Sequence, residues 1–190
     1  MKLLVTGFEP FGGSSVNASW EAVRQLPYRL AGAEILTLEL STAFEACFAE
    51  VEAAIEREKP DVVLCVGEAG GRTGLTPERV ALNWDDARIA DNHGYQPTDK
   101  PIIADAPTAY LSQMPVKDLV SAIVAAGVPA SVSYSAGTFV CNHLMFRLEH
   151  HRSTSVPQLL TGFLHVPTVD AMETATAVKG LVAALRILAG

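Results

Sequence analysis

Residues Ser133–Phe146 read SYSAGTFVCNHLMF. A short β-prone run, Ala130–Tyr134, feeds a turn of small residues, Ser135-Ala136-Gly137, and Thr138 opens a helical stretch expected to run to about His151. The reading sets Cys141 in the first turn of a helix, just past the end of a strand. A helix N-terminus offers unpaired N–H groups and a partial positive charge, so it favours a thiolate. Asn142 and His143 keep one side polar, while Phe139, Val140, Leu144 and Met145 supply apolar wall. Cys141 is therefore read either as a nucleophile or as a small hydrophobe packed under a helix, the usual fate of a free cysteine.

The same strand-then-helix pattern repeats outward from this point. Lys2–Thr6 is predicted as a strand, followed by the loop GFEPFGG at Gly7–Gly13. That loop lacks both a GxGxxG pattern and a phosphate-binding lysine, and its two phenylalanines suit an apolar pocket or a core plug. Asn17 or Ser19 can cap a short helix to about Leu26. Glu34–Leu40 alternates as a strand. Thr42 and Glu45 form a capping box before a helix whose Phe44, Cys47, Phe48, Val51 and Ile55 share one face, and Lys59-Pro60 ends it. Val62–Val66 is a continuous apolar run, as expected of a strand buried on both faces. Val116–Ala126 and Met172–Leu188 carry helical periodicity, and Phe163–Val166 is a final strand. Alternating strands and helices predict an α/β fold, a three-layer α/β/α arrangement with a largely parallel central sheet, and residues 1–190 are read as one domain.

Composition narrows the function classes. The chain has 190 residues, 49% of them hydrophobic and only 18% charged, which suits a large buried core and subunit contacts. A net charge of −7 with no basic cluster disfavours nucleic-acid binding. No stretch has the length of a membrane span, and the apolar run Leu3–Val5 is too short for a signal peptide. An odd number of cysteines without a CxxC pair argues against a disulfide framework and a structural zinc site, and a reducing cytoplasm is the simplest setting. Cys47 and Cys65 fall on expected core faces and are read as inert. His93, His150 and His151 are read as surface residues.

A nucleophilic Cys141 needs a base. His165, at the end of a predicted strand, would reach the same sheet edge as the start of the Cys141 helix, although a lone strand histidine is more often structural. Loops at the carboxyl ends of strands build the sites of open α/β sheets, and GEAGGRTG at Gly67–Gly74 is such a loop. The segment Thr76–Asn92 then gathers Glu78, Arg79, Asn83, Asp85, Asp86 and Arg88 around a short apolar core, as either a solvated hairpin or part of a site. Glu78 is one of several carboxylates there that could orient the imidazole. From the residues alone the reading stops at a cysteine hydrolase.

Three stretches resemble the pyroglutamyl peptidase I (pyrrolidone-carboxylate peptidase) family of cysteine peptidases: GEAGGRTGLTPERVALN at Gly67–Asn83, SYSAGTFVCNHLMF, and GFLHVP at Gly162–Pro167. The opening VTGFEPFGG and the stretch DARIADNHGYQP are also similar to it. The resemblance implies a catalytic Glu78, Cys141 and His165, with Arg88 as an oxyanion-supporting candidate. It further implies a substrate slot lined by Phe8, Phe11, Phe139 and Val140, with Asn17 among its polar contacts. Glu68 stands where the family leads one to expect glutamine, and Ala18 where it leads one to expect proline. The implied reaction removes an N-terminal pyroglutamyl residue from a peptide through an acyl-enzyme, with no metal or organic cofactor. The implied partners are such peptides and further copies of the chain in a homo-oligomer such as a tetramer, with neither nucleic acid nor membrane. Two alternatives stand beside it: a nucleoside-phosphorylase-like enzyme, and a non-enzymatic thiol-sensing domain.

Overall fold

The computed structural model describes residues 1–190. A six-stranded sheet forms its middle layer. Its central strands, β1 (Lys2–Phe8), β3 (Ala33–Leu40), β4 (Val62–Glu68) and β8 (Leu160–Val166), run parallel in the order β3-β1-β4-β8. The two-residue strands β2 (Arg29–Leu30) and β5 (Thr76–Pro77) pair antiparallel at the two edges. A separate ribbon joins β6 (Val80–Leu82) to β7 (Ala109–Leu111).

Side-chain alternation sorts the parallel strands into two cores. Leu3, Val5, Leu64, Val66, Leu164 and Val166 face α1 (Ala18–Val23), α3 (Val116–Ala125) and α5 (Thr174–Ala189). Leu4, Val63, Cys65 and Phe163 face α2 (Phe44–Glu58) and α4 (Val140–Thr154). Both faces are covered, as the continuous apolar run of β4 demands. The chain leaves β1 for β3 on one side and returns to β4 on the other. Such a reversal opens a crevice at the carboxyl ends of the strands, where ligands bind in open α/β sheets.

Several local expectations are corrected. Ala130–Tyr134 is not a strand: it makes only isolated parallel bridges, Leu75 with Ala130 and Glu78 with Ser133, because β5 ends after two residues and offers no longer edge. The Thr42–Glu45 capping box does not form. Thr42 Oγ1 donates to the Glu9 carbonyl (3.0 Å), and the Phe44 N–H is capped instead by the buried Asp91 carboxylate (2.9 Å). His150 and His151 are half-buried: His150 Nδ1 lies 2.9 Å from the Tyr110 hydroxyl and its ring stacks on Phe146, while His151 packs edge-on to Phe48. The Thr76–Asn92 segment is not a solvated hairpin, since Glu78, Asn83, Asp85 and Asp91 are all buried.

The helix that carries Cys141 is enclosed on nearly every side. Val140, Leu144, Met145, Phe146 and Leu148 are buried, and so are Asn142, His143 and Glu149. Buried polar groups need partners, and here they act as fasteners. Asn142 Nδ2 donates to the Leu82 and Trp84 carbonyls (2.9 and 3.0 Å), and its Oδ1 accepts from the Leu82 N–H (2.9 Å). His143 Nδ1 meets Asp85 Oδ2 at 2.8 Å, and Glu149 accepts from Arg152 and Thr161, each at 2.9 Å. These bonds tie α4 to the 82–85 segment and to β8, so its N-terminus has little freedom.

Candidate active site

Strand alternation on β8 points Phe163 and His165 toward α4, and register sets His165 between Gly67 of β4 and Thr76 of β5. Glu78 follows β5 directly. Its N–H donates to the Phe163 carbonyl (2.9 Å), which holds its side chain against the end of β8. Glu78 Oε1 sits 2.7 Å from His165 Nδ1, and both side chains are buried. The bond fixes the tautomer: Nδ1 carries the proton toward the carboxylate, and Nε2 is left as the basic nitrogen.

Cys141 is the second residue of α4. Phe139, at the N-cap, gives no side-chain hydrogen bond, and the helical ladder starts with the His143 N–H on the Phe139 carbonyl (3.1 Å). The N–H groups of Val140, Cys141 and Asn142 therefore have no helical acceptor. Thr138, expected from sequence to open the helix, does not: its hydroxyl donates to the Asp86 carbonyl (2.9 Å) and its own carbonyl accepts the Asp86 N–H (3.1 Å), and the helix begins at Val140. The Cys141 sulfur rests on the backbone of β4. A Cβ added at Gly67 would lie 2.8 Å from Sγ and 2.9 Å from Phe163 Cζ, so only glycine lets the sulfur sit there.

Cys141 and His165 open onto one cleft of about 450 Å³, walled also by Phe11, Phe139, Glu68, Arg72, Asp86 and Arg88. The rings of Phe11 and Phe139 lie 6.0 Å apart, and Phe44 supports Phe139 edge-on at 5.3 Å. The other expected slot residues stand behind this wall. Phe8 is buried against Phe163, with ring centroids 6.4 Å apart, and Val140 is buried in the core. Asn17 spends its side chain locally: Oδ1 accepts from the Ser19 N–H and hydroxyl, and Nδ2 donates to the Glu9 carbonyl. It is the cap of α1 and is not part of the cleft wall. Arg88 is exposed at the cleft. Glu68 Oε2 accepts the Ala18 N–H (2.7 Å), so one of its oxygens is turned away to α1.

The electrostatics correct the expectation of a lowered thiol pKa. Burial, with the negative charge of Glu78, pushes the Cys141 thiol up to about 12, against the downward pull of Arg72. Desolvation and a nearby carboxylate both disfavour the thiolate. Burial also lowers the His165 imidazole, against the pull of Glu78. Burial acts to raise the Glu78 carboxyl, but the hydrogen bond from His165, with the positive charge of Arg72 beside it, leaves it below its ordinary value. These directions favour a neutral thiol, a neutral imidazole and a carboxylate at rest.

Arg72 is the residue that sequence reading passed over. Its Nη1 donates to Glu78 Oε1 (2.7 Å) and to Thr76 Oγ1, and its Nη2 donates to the Ser135 carbonyl (3.1 Å). The available signal was an arginine inside a glycine-rich loop six residues before the candidate acid.

This geometry can be set beside known proteins. The pyroglutamyl peptidase profile matches residues 1–187. Pyrrolidone-carboxylate peptidase of Levilactobacillus brevis is 50% identical over 99% of this chain and 97% of that protein. That of Lactobacillus johnsonii is 51% identical over 97% and 91%. Among solved structures, pyroglutamyl peptidase I from Bacillus amyloliquefaciens superposes with a TM-score of 0.94 at 42% identity, covering 97% of this chain and 93% of that one. Pyrrolidone carboxyl peptidase from Pyrococcus furiosus, as its A199P mutant, gives 0.93 at 34% identity over 98% and 97%. Because the likeness spans nearly the whole chain and extends from sequence to backbone, the chain belongs to the pyroglutamyl peptidase family.

Proposed function

We propose that the chain is a cysteine omega-peptidase that hydrolyses the bond after an N-terminal pyroglutamyl residue, with Cys141 as nucleophile, His165 as base and Glu78 as its orienting carboxylate. The observation that carries this reading is the buried Glu78–His165 hydrogen bond opening onto the cleft that also exposes Cys141. With both groups neutral at rest, the Cys141 proton passes to His165 Nε2 as sulfur attacks the pyroglutamyl carbonyl. Glu78 stabilises the imidazolium as it forms. The Cys141 N–H, free of a helical acceptor, donates to the oxyanion, and Arg88 adds positive charge nearby. Collapse of the tetrahedral adduct expels the amine, which takes the proton from Nε2. Water, deprotonated by His165, then attacks the thioester and releases pyroglutamate and the free thiol.

The Phe11 and Phe139 rings suit a small flat ring, with Phe8 and Val140 as support behind them. A neutral lactam needs no counter-charge there. The family assignment speaks against the nucleoside-phosphorylase-like reading, which rested on fold likeness and two glycine-rich loops. No helix is long and apolar enough to cross a membrane. Three free cysteines suit a reducing cytoplasm, and the low charge content suits a homo-oligomer.

The test is hydrolysis of matched chromogenic amides. Pyroglutamyl and proline rings have similar shapes, which an apolar slot separates by only about 1–3 kcal/mol. Groups placed for the lactam N–H and C=O would be left unpaired by proline, and its cationic amine would have to be desolvated. The expected preference for the pyroglutamyl amide is on the order of 10⁴ in kcat/KM, with the glutaminyl amide equally inert. Comparable rates on the prolyl and pyroglutamyl substrates would sink the lactam-pocket reading.

A further inference from the structure

We propose that Arg72 is a positioning residue of the catalytic unit, its guanidinium fork holding the Glu78 carboxylate against His165 while fixing the Ser135 carbonyl on the loop that leads into Cys141. The inference rests on the Cys141–His165–Glu78 reading above. Three hydrogen bonds diverge from this one side chain, to Glu78, Thr76 and Ser135. They join the segment before β8's edge partner, the acid after it and the approach to α4. A planar guanidinium can direct separate N–H groups along these lines, whereas an ammonium is a single point of charge.

The charge matters as much as the geometry. Glu78 is fully buried, and its Oε2 has no hydrogen-bond partner. Its Oε1 is shared between Arg72 and His165. A buried carboxylate is costly without a counter-charge. If Arg72 were absent, His165 would be the adjacent group able to supply one, by taking up a proton. A protonated imidazole cannot accept the thiol proton. Arg72 therefore balances Glu78 so that His165 need not, and the base stays free. The other groups facing the unit are Glu68 at the end of β4, Cys65 within β4, and Asp86 and Arg88 on the opposite side of the cleft. Arg88 is the remaining cation among the cleft residues, and it makes no ion pair with Glu78. The directions agree: Arg72 acts to lower Glu78, His165 and Cys141 alike.

The experiment compares wild type, Arg72→Gln and Arg72→Lys, using kcat/KM on a pyroglutamyl chromogenic amide as a function of pH. In parallel, the rate at which iodoacetamide modifies Cys141 is followed over the same range. Arg72→Gln is expected to lose about 100-fold in kcat/KM, within the range for a lost acid–base contribution. Its acid limb, which reports His165, should move to higher pH by about one unit or more, and alkylation of Cys141 should need higher pH as well. Arg72→Lys returns the charge without the fork, so it should restore the position of the limb but only part of the rate. A merely structural role would lower the rate and leave the acid limb and the alkylation profile in place, and that result overturns the proposal, as does Arg72→Gln activity within about twofold of wild type. If wild type cleaves no pyroglutamyl amide, the substrate reading fails by itself. The alkylation profile then decides Arg72: a shift in the Gln variant supports the role, and an unmoved profile refutes it.

Discussion

Cys141→Ser and His165→Ala should each lower kcat by about 10⁴ or more, and the double variant should be scarcely worse than either. Members of one catalytic unit are not additive, because removing the nucleophile leaves the base nothing to activate, and removing the base leaves a neutral thiol. The second half of that statement is strong here, since burial and Glu78 push the free Cys141 thiol up to about 12. Without His165 almost no thiolate forms near neutral pH. Serine in the same place is less acidic still and is a poor match for a base poised for sulfur. Glu78→Gln should be milder, because an amide oxygen can still accept from His165 Nδ1 though it carries no charge. Circular dichroism and a melting curve would show whether each variant folds. A His165→Ala variant that kept even a tenth of wild-type kcat would remove His165 from the mechanism. A Glu78→Gln variant at full activity, beside an inactive Asp86 variant, would show that the wrong carboxylate has been assigned.

Gly67→Ala should cost about 100-fold in kcat, although it adds one methyl group in a backbone conformation open to any residue. The new Cβ would stand 2.8 Å from Cys141 Sγ and 2.9 Å from Phe163 Cζ. Neither neighbour can retreat easily: α4 is fastened through Asn142, His143 and Glu149, and Phe163 is packed into the core. The sulfur must swing or the strand must shift. A displacement of about 1 Å at a reacting atom is enough for a loss of this size. Overpacking should also lower stability by about 1–3 kcal/mol, read as a lower Tm. Unchanged kcat in a folded Gly67→Ala protein would mean that Sγ reacts from somewhere other than the surface of β4.

Local patterning made the layers legible. The unbroken apolar run of β4 announced a strand covered on both sides, and the spacing of Phe44, Cys47, Phe48, Val51 and Ile55 announced the face of α2. What escaped depends on partners far apart in the chain. The cap of α2 is Asp91, which no short-range pattern reveals, so the nearby Thr42 and Glu45 looked sufficient. Ala130–Tyr134 has strand-forming residues but only a two-residue edge to join. Asp85 and His143 read as candidate site residues or polar filler, yet they meet as a buried pair that pins α4 to the segment before the cleft. Glu78 stood out from its neighbouring carboxylates only by resemblance; the hydrogen bond to His165 is a matter of β5 and β8 lying side by side. The direction of the Cys141 shift was also out of reach, because a helix terminus can be inferred from sequence while desolvation and the distance to Glu78 cannot.

The central claim is that the chemistry runs through Cys141. All three thiols are raised by burial, so access must separate them: Cys47 and Cys65 are fully buried, whereas Cys141 lies at the cleft. Limited alkylation with iodoacetamide, followed by mass mapping and an activity assay on the same samples, tests this directly. The account predicts label on Cys141 in proportion to the activity lost, with Cys47 and Cys65 unmodified in the folded protein. Activity lost while the label sits on Cys47 or Cys65, or activity retained with Cys141 fully labelled, would contradict it.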